Sequence, residues 1–296
     1  MQKGIIFTLF ALLFNLLIFS QHKKSPDLKK TIESIISNKK ADVGVSIIGP
    51  DQKETIQING NTLYPMLSTV KFPIALTVLK KVEKGELSLQ QKLFIKKEEL
   101  LEDTWSPFKK EHPEGNIEIS LEEALKWIVS YSDNNISDIL MRLVGGSEPV
   151  QQLVNSKDCI IQNNEEDMHK DWESQFVNKI TPNEAIRLLT AFSNGKILNK
   201  EHSLWLYNIM LNNTAGPKRL KGNLPPQVKV AHRTGTSFTN KEGMTGAIND
   251  FGIIELSDNK KIYIAVFVHD TNEKFENAEA IIADISKATY DYYHKK

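Results

Sequence analysis

A serine and a lysine three residues apart, Ser68 and Lys71, head an apolar run with helical spacing: Phe72, Leu76, Leu79, Val82. On a helix the two side chains share a face, one turn apart. A serine at a helix start also meets free backbone N–H groups, which favour developing negative charge. A hydroxyl is a weak nucleophile at neutral pH until a base takes its proton. An amine whose pKa is lowered by burial or by a neighbouring cation is such a base. Ser-x-x-Lys alone is a weak signal, since it also begins at Ser20, Ser37, Ser106, Ser193 and Ser257. Ser68 differs in opening a long apolar helix and in having matching partners downstream.

Those partners are three groups, met in order along the chain. Tyr131-Ser132-Asp133-Asn134 lies between two helical segments. The Ser132 hydroxyl can carry a proton to a leaving group, and Asn134 can orient a substrate or Lys71; Ser and Asp here equally suit a helix N-cap. Glu165-Glu166-Asp167-Met168-His169 sits in a polar stretch over 156–180 with little periodicity. A carboxylate there can activate water to clear a covalent intermediate, although an acidic run alone is as well explained as a solvated surface. Finally, His232-Arg233-Thr234-Gly235-Thr236-Ser237 ends a strand. A cation and hydroxyls on an edge strand suit a carboxylate, and Gly235 is expected to let a ligand approach the backbone.

The elements that must hold these groups are set by periodicity. Residues 26–38 fit an amphipathic helix, and 43–48 and 55–58 form a strand hairpin around Gly49-Pro50-Asp51-Gln52. From Phe72 to about Leu211 the chain reads as mainly helical, with segments at 72–84, 120–130, 132–144, 147–155, 182–193 and 200–212. Thr181-Pro182 supplies an N-cap and a first-turn proline. Strands return at 228–234, 246–256 and 261–268, and a last helix covers 275–293. One antiparallel sheet made from the first hairpin and the last three strands, covered by the terminal helices with a helical lobe beside it, satisfies this pattern. A cleft between the lobes is then the expected site.

Composition narrows the partners. The 296 residues suffice for one large core or two subdomains, and 37 basic residues balance 37 acidic ones, which argues against nucleic acid. Lys3, an apolar run from Ile5 to Phe19 and the polar Ser20-Gln21-His22 predict a cleaved secretory leader over residues 1–21. Cys159 is the only cysteine, so no intrachain disulfide can form, and it is expected as a buried apolar residue. The His residues contain no His-x-His pair, against a zinc enzyme.

Together, Ser68-x-x-Lys71, Ser132-Asp133-Asn134, Glu165 and Arg233-Thr234-Gly235 resemble the motifs of the class A β-lactamases, serine enzymes that open the β-lactam ring. Trp105 in an aromatic rim position, Gly145-Gly146 after a helix and Thr181-Pro182 extend the resemblance over nearly the whole chain after the leader. It implies the α/β two-lobe fold shared with penicillin-binding proteins: a five-stranded antiparallel sheet flanked by helices, plus an all-α lobe. The α/β lobe would span 22–65 and 213–296, and the all-α lobe 66–212. It implies Ser68 as nucleophile, Lys71 or Glu165 as base, Ser132 as proton shuttle and Glu165 as the deacylating carboxylate. Trp105, Asn134, His169, Arg219, Arg233, Thr234, Gly235, Thr236 and Ser237 would bind substrate. No metal or cofactor is implied. The partners are small-molecule β-lactams, with no nucleic acid and no membrane association after leader cleavage, and a periplasmic monomer is expected.

The resemblance is closest to the extended-spectrum branch that includes the VEB and PER types. That branch has His where most of the family has Asn four residues after the catalytic Glu, which selects Glu165 (paired with His169) over Glu166 (paired with Lys170). Arg219 matches the arginine that the branch uses toward the substrate carboxylate. Arg233 stands where the family usually has Lys, which keeps the charge on a planar, bulkier head. Asn163 and Asn178 occupy the places of an Arg–Asp pair that ties the catalytic loop in much of the family. A loop on a different path, with room for oxyimino cephalosporins, is the resulting expectation. A penicillin-binding peptidase would share Ser68, Lys71, Ser132 and the Thr-Gly strand, but lack an effective deacylating carboxylate; a β-lactam sensor domain would also acylate without turning over, and would need a membrane tether and a signalling partner.

Overall fold

The computed structural model describes residues 27–257 and 260–294; the expected leader lies outside them. The first elements are α1 (Leu28–Ile36), β1 (Asp42–Ile48), β2 (Thr55–Ile58), β3 (Tyr64–Pro65) and α2 (Lys71–Glu83). Then come β4 (Lys92–Ile95), α3 (Pro107–Glu111), β5 (Ile117–Ser120), α4 (Leu121–Ser130), α5 (Asn134–Val144) and α6 (Ser147–Val154). They are succeeded by β6 (Cys159–Ile160), α7 (Glu165–Met168), β7 (Lys179–Ile180), α8 (Pro182–Ser193) and α9 (Lys200–Leu211). The chain closes with β8 (Val230–Thr236), β9 (Thr245–Glu255), β10 (Lys261–Thr271) and α10 (Phe275–His294).

Five strands form an antiparallel sheet in the order β2-β1-β10-β9-β8. Successive side chains of a strand point to opposite faces, and on β10 both sets are apolar. Ile262, Ile264, Val266 and Val268 face α1 and α10, whereas Tyr263, Ala265 and Phe267 join the core of the helical lobe. The sheet is therefore buried on both faces, and its edge strand β8 borders the cleft between the lobes. This is the two-lobe architecture expected from the sequence.

Local signals set the helices. The Thr181 hydroxyl accepts from Glu184 N with Pro182 in the first turn of α8. Asp133 caps α5 by accepting from Ile136 N, and Gly145 ends it at φ +102°. Phe72 packs edge-to-face on Phe192 of α8 and Phe251 of β9, at 5.4 and 5.6 Å, which fastens α2 to the sheet. Truncating such a buried ring costs about 3–5 kcal/mol.

Two expectations change. The stretch expected to be mainly helical contains the β4–β5 hairpin, whose strands pair Lys92 with Ser120 across an insert that carries Trp105 and α3. The 156–180 stretch is not one long loop: it holds α7 and two short strands, with β7 pairing both β3 and β6. Cys159 in β6 is buried and its thiol pKa is pushed up to about 12, chiefly by desolvation.

Candidate active site

Ser68 lies in a single 3-10 turn, Leu67–Val70, that leads into α2. Leu67 adopts φ +48°, an uncommon conformation for a residue with a side chain. Lys71, the first residue of α2, is completely buried. Its Nζ reaches three oxygens at once: Ser68 Oγ at 2.7 Å, Asn134 Oδ1 at 2.7 Å and Glu165 Oε1 at 2.5 Å. Burial lowers the Lys71 pKa; Arg233 adds to the lowering and the Glu165 charge opposes it. The Nζ thus joins the Ser68 hydroxyl to the Glu165 carboxylate.

Glu165 is held from behind. It opens α7, where its N–H donates to Asp138 Oδ1 at 2.6 Å and the next N–H, of Glu166, donates to Asp138 Oδ2 at 2.9 Å. The Asp138 pKa is nonetheless raised to about 6, by burial first and then by the Glu165 charge, against the lowering effect of those donors. His169 Nδ1 lies 2.6 Å from the Glu165 carbonyl, and its Nε2 lies 3.5 Å from Thr104 Oγ1. Thr104 also accepts from Asn134 Nδ2 at 2.8 Å. Glu166 is exposed and contacts neither Lys71 nor Ser68.

Ser132 is also left-handed, at φ +60°. Its Oγ accepts from Arg233 Nη2 at 3.2 Å. Arg233 donates further to the Val129 and Ser68 carbonyls, at 2.6 and 3.0 Å, while its Nε finds no acceptor among the described residues. The guanidinium is fully buried, which lowers its pKa to about 10.

A cleft of about 720 Å³ opens between the lobes over these groups. Ser68, Ser132, Asn134, Glu165, His169, Thr234, Thr236 and Ser237 contribute to its walls, and Trp105 stands at the rim, 56% exposed. A family model described as "Beta-lactamase enzyme family" matches residues 27–293. The chain is 42% identical over 299 residues to β-lactamase VEB-1 of Pseudomonas aeruginosa, covering 99% of both sequences. It is 38% identical to the extended-spectrum β-lactamase PER-1 of the same organism, over 94% of this chain and 91% of that one. A solved structure of the TLA-1 extended-spectrum β-lactamase is 45% identical and superposes with a TM-score of 0.88, covering 92% of this chain and 100% of that one. A class A β-lactamase from Bacteroides cellulosilyticus is 38% identical with a TM-score of 0.87, over 91% and 98%. The chain belongs to the class A β-lactamases.

Three residues expected to bind substrate in this β-lactamase are not part of the cleft lining. Arg219 does not line the cleft. It is buried behind β8, where Nη2 donates to Thr236 Oγ1 at 2.7 Å, Nη1 to the carbonyls of Gly235 and Asn249 at 2.9 Å, and Nε to Glu279 at 3.2 Å. Arg233 likewise acts from beneath the wall. At Gly235 the backbone is crowded by protein: a Cβ there would fall 2.4 Å from the Met66 carbonyl. Side-chain direction and burial are tertiary properties, so a motif alone did not reveal them.

Other residues that shape the site carry no sequence signal. Asp138 and Thr104 belong to no motif of their own. Phe238, 62% exposed at the mouth of the cleft, stands edge-on to His169 with 5.7 Å between ring centres. At the loop ends Asn178 clasps its neighbour: its Oδ1 accepts from Gln162 N and Asn163 N at 2.7 and 2.9 Å, and its Nδ2 donates to the Asn163 carbonyl at 2.7 Å. An uncharged clasp stands where much of the family would place an ion pair.

Proposed function

We propose that this β-lactamase hydrolyses penicillins and cephalosporins, oxyimino cephalosporins included, through an acyl-enzyme on Ser68. Lys71, relaying toward Glu165, takes the Ser68 proton as Oγ attacks the lactam carbonyl. The backbone N–H groups of Ser68 and Thr236 receive the oxyanion. Ser132 delivers a proton to the departing lactam nitrogen. Glu165 then activates a water, with His169 and Asn134 bordering its place, and the ester is cleared. Thr234, Thr236 and Ser237 offer hydroxyls to the substrate carboxylate. Arg219 and Arg233 add positive charge from beneath, at a depth where water screens it little.

The observation that carries this is the position of Lys71 Nζ, in contact with both Ser68 Oγ and Glu165 Oε1. The broad spectrum is supported by the uncharged Asn178 clasp of the loop and by the likeness to enzymes titled extended-spectrum. Action on drugs outside the cytoplasm fits the leader expected at residues 1–21, and no helix among the described residues is long and apolar enough to cross a membrane.

The test is steady-state kinetics on purified protein. Repeated turnover of a chromogenic cephalosporin is expected, and Ser68→Ala should abolish both turnover and the acyl adduct in mass spectra. A stoichiometric burst without turnover would select a penicillin-binding peptidase or a sensor instead. Cefotaxime and ceftazidime should be hydrolysed with kcat/KM within about three decades of cephalothin, a barrier difference of about 4 kcal/mol. A larger deficit for both rejects the broad spectrum and leaves the lactamase assignment standing.

A further inference from the structure

Beneath the cleft, His232 on β8 and Asp250 on β9 are both completely buried, and neither lines the cleft. His232 Nδ1 lies 2.9 and 2.8 Å from the two Asp250 oxygens. The sheet gives up a side chain to seat this ring: His232 pairs across with Gly252, where a Cβ would come within 2.7 Å of His232 Cβ. Burying an imidazole–carboxylate pair forfeits the hydration of both partners, so a core gains little from one by packing alone.

Its remaining contacts both lead to one segment. With Asp250 accepting, the hydrogen lies on Nδ1, and Nε2 is left to accept from Asn213 Nδ2 at 3.3 Å. Asn213 Oδ1 in turn accepts from Ala215 N at 3.1 Å. Asp250 Oδ2 accepts from Leu220 N at 3.1 Å. Between these two anchors run Thr214, Ala215 and Gly216, which line the cleft, and Arg219, which reaches Thr236 Oγ1. Lys221 Nζ closes the base on the carbonyls of Leu211 and Asn213, at 3.3 and 3.4 Å.

We propose that the His232–Asp250 pair is a positioning device that pins both ends of segment 213–220 and so sets the wall against which the substrate carboxylate docks. This rests on the functional reading above. His232 and Asp250 touch no substrate atom; they act through Asn213 and Leu220. Losing the tether should loosen the wall, weaken docking and leave the chemistry at Ser68 unchanged.

The test uses Asn213→Ala, His232→Ala and the double variant of the full chain. KM for cephalothin should rise about tenfold in each single variant, the scale of one lost hydrogen bond, with kcat within about threefold. The double variant should be no worse than His232→Ala, because one tether cannot be cut twice. Inhibition by phenylboronic acid, which can engage Ser68 but has no carboxylate, should stay within about twofold. Amide exchange over 213–220 should quicken in both single variants. Unchanged KM and exchange would overturn the proposal, as would a loss confined to kcat, additive losses in the double variant, or an equal loss of boronate affinity. If His232→Ala does not fold, Asn213→Ala carries the same measurements. Should the wild type fail to turn over cephalothin, the functional reading falls, and the exchange data still decide whether the tether exists.

Discussion

Replacing Asp138 by Asn probes the support beneath Glu165 in a way that separates two opposing forces on one carboxyl group. Burial and the Glu165 charge raise the Asp138 pKa, while the two N–H groups it accepts lower it, and the balance stands at about 6 against an ordinary 3.8. A folded pKa raised above the unfolded value gives stability that is fully present below the unfolded pKa and lost as pH rises through the folded one. Asn does not titrate. The stability of the wild type relative to Asp138→Asn should therefore grow by about 2 kcal/mol between roughly pH 7.5 and pH 4.5. At about 2.1 cal/mol/K of unfolding entropy per residue, that widens the difference in Tm by about 3–4 °C in a chain of 296 residues. Paired thermal melts at the two pH values measure it. A constant or narrowing difference in acid would mean that the N–H donors outweigh burial, and the reasoning would be wrong. Near neutral pH a second effect appears, because Asn presents one acceptor oxygen where Asp presents two. One of the N–H groups of Glu165 and Glu166 then faces an amide NH₂, at a cost of about 1–3 kcal/mol. Spent on the position of Glu165, that slows deacylation by about one to two decades, visible as acyl-enzyme accumulating during turnover.

Glu165→Ala should trap the acyl-enzyme with slow substrates, whereas Glu166→Ala should change rates far less; an adduct trapped by the Glu166 variant instead would reverse the assignment. Arg219→Ala should raise KM for carboxylate-bearing substrates by about one to two decades and also lower Tm, since it leaves Glu279 buried without its cation. A lowered Tm with unchanged KM would confine Arg219 to holding the sheet. Asn178→Ala removes three hydrogen bonds at the loop ends and should cost about 2–4 kcal/mol, with faster proteolysis between residues 162 and 178; an unchanged Tm and cleavage rate would show that the clasp contributes nothing.

Much of the architecture is legible in the sequence because it is written locally. The continuous apolar run of β10, the caps at Thr181 and Asp133 and the helical spacing after Lys71 each need only a few neighbouring residues. That the first hairpin and the last three strands share one sheet follows from placing two strand-rich ends around a helical middle; the order of the strands does not. The β4–β5 hairpin escapes because its strands lie apart in sequence, with no tight turn between them to mark the pairing. Asp138 escapes for another reason: a lone acid in a helix looks like a solvated surface residue until the chain brings two N–H groups onto it. Arg219 and Arg233 are legible as cations near the site. That both lie under the wall depends on Glu279, Val129 and the Ser68 carbonyl, which are distant in sequence. The close approach of the Met66 carbonyl to Gly235 is likewise invisible in the sequence, since Met66 is far from it along the chain.

The lone cysteine has a practical corollary. Cys159 is buried in β6 with its thiol pKa pushed up to about 12, so it presents almost no thiolate to an alkylating dye. The native chain is thus a silent background for fluorophore labelling. A single cysteine introduced at the exposed Glu166 would carry the only reactive thiol in the molecule, directly beside the carboxylate at issue in the chain. Its emission could report on the loop during each catalytic cycle without any native thiol having to be removed first.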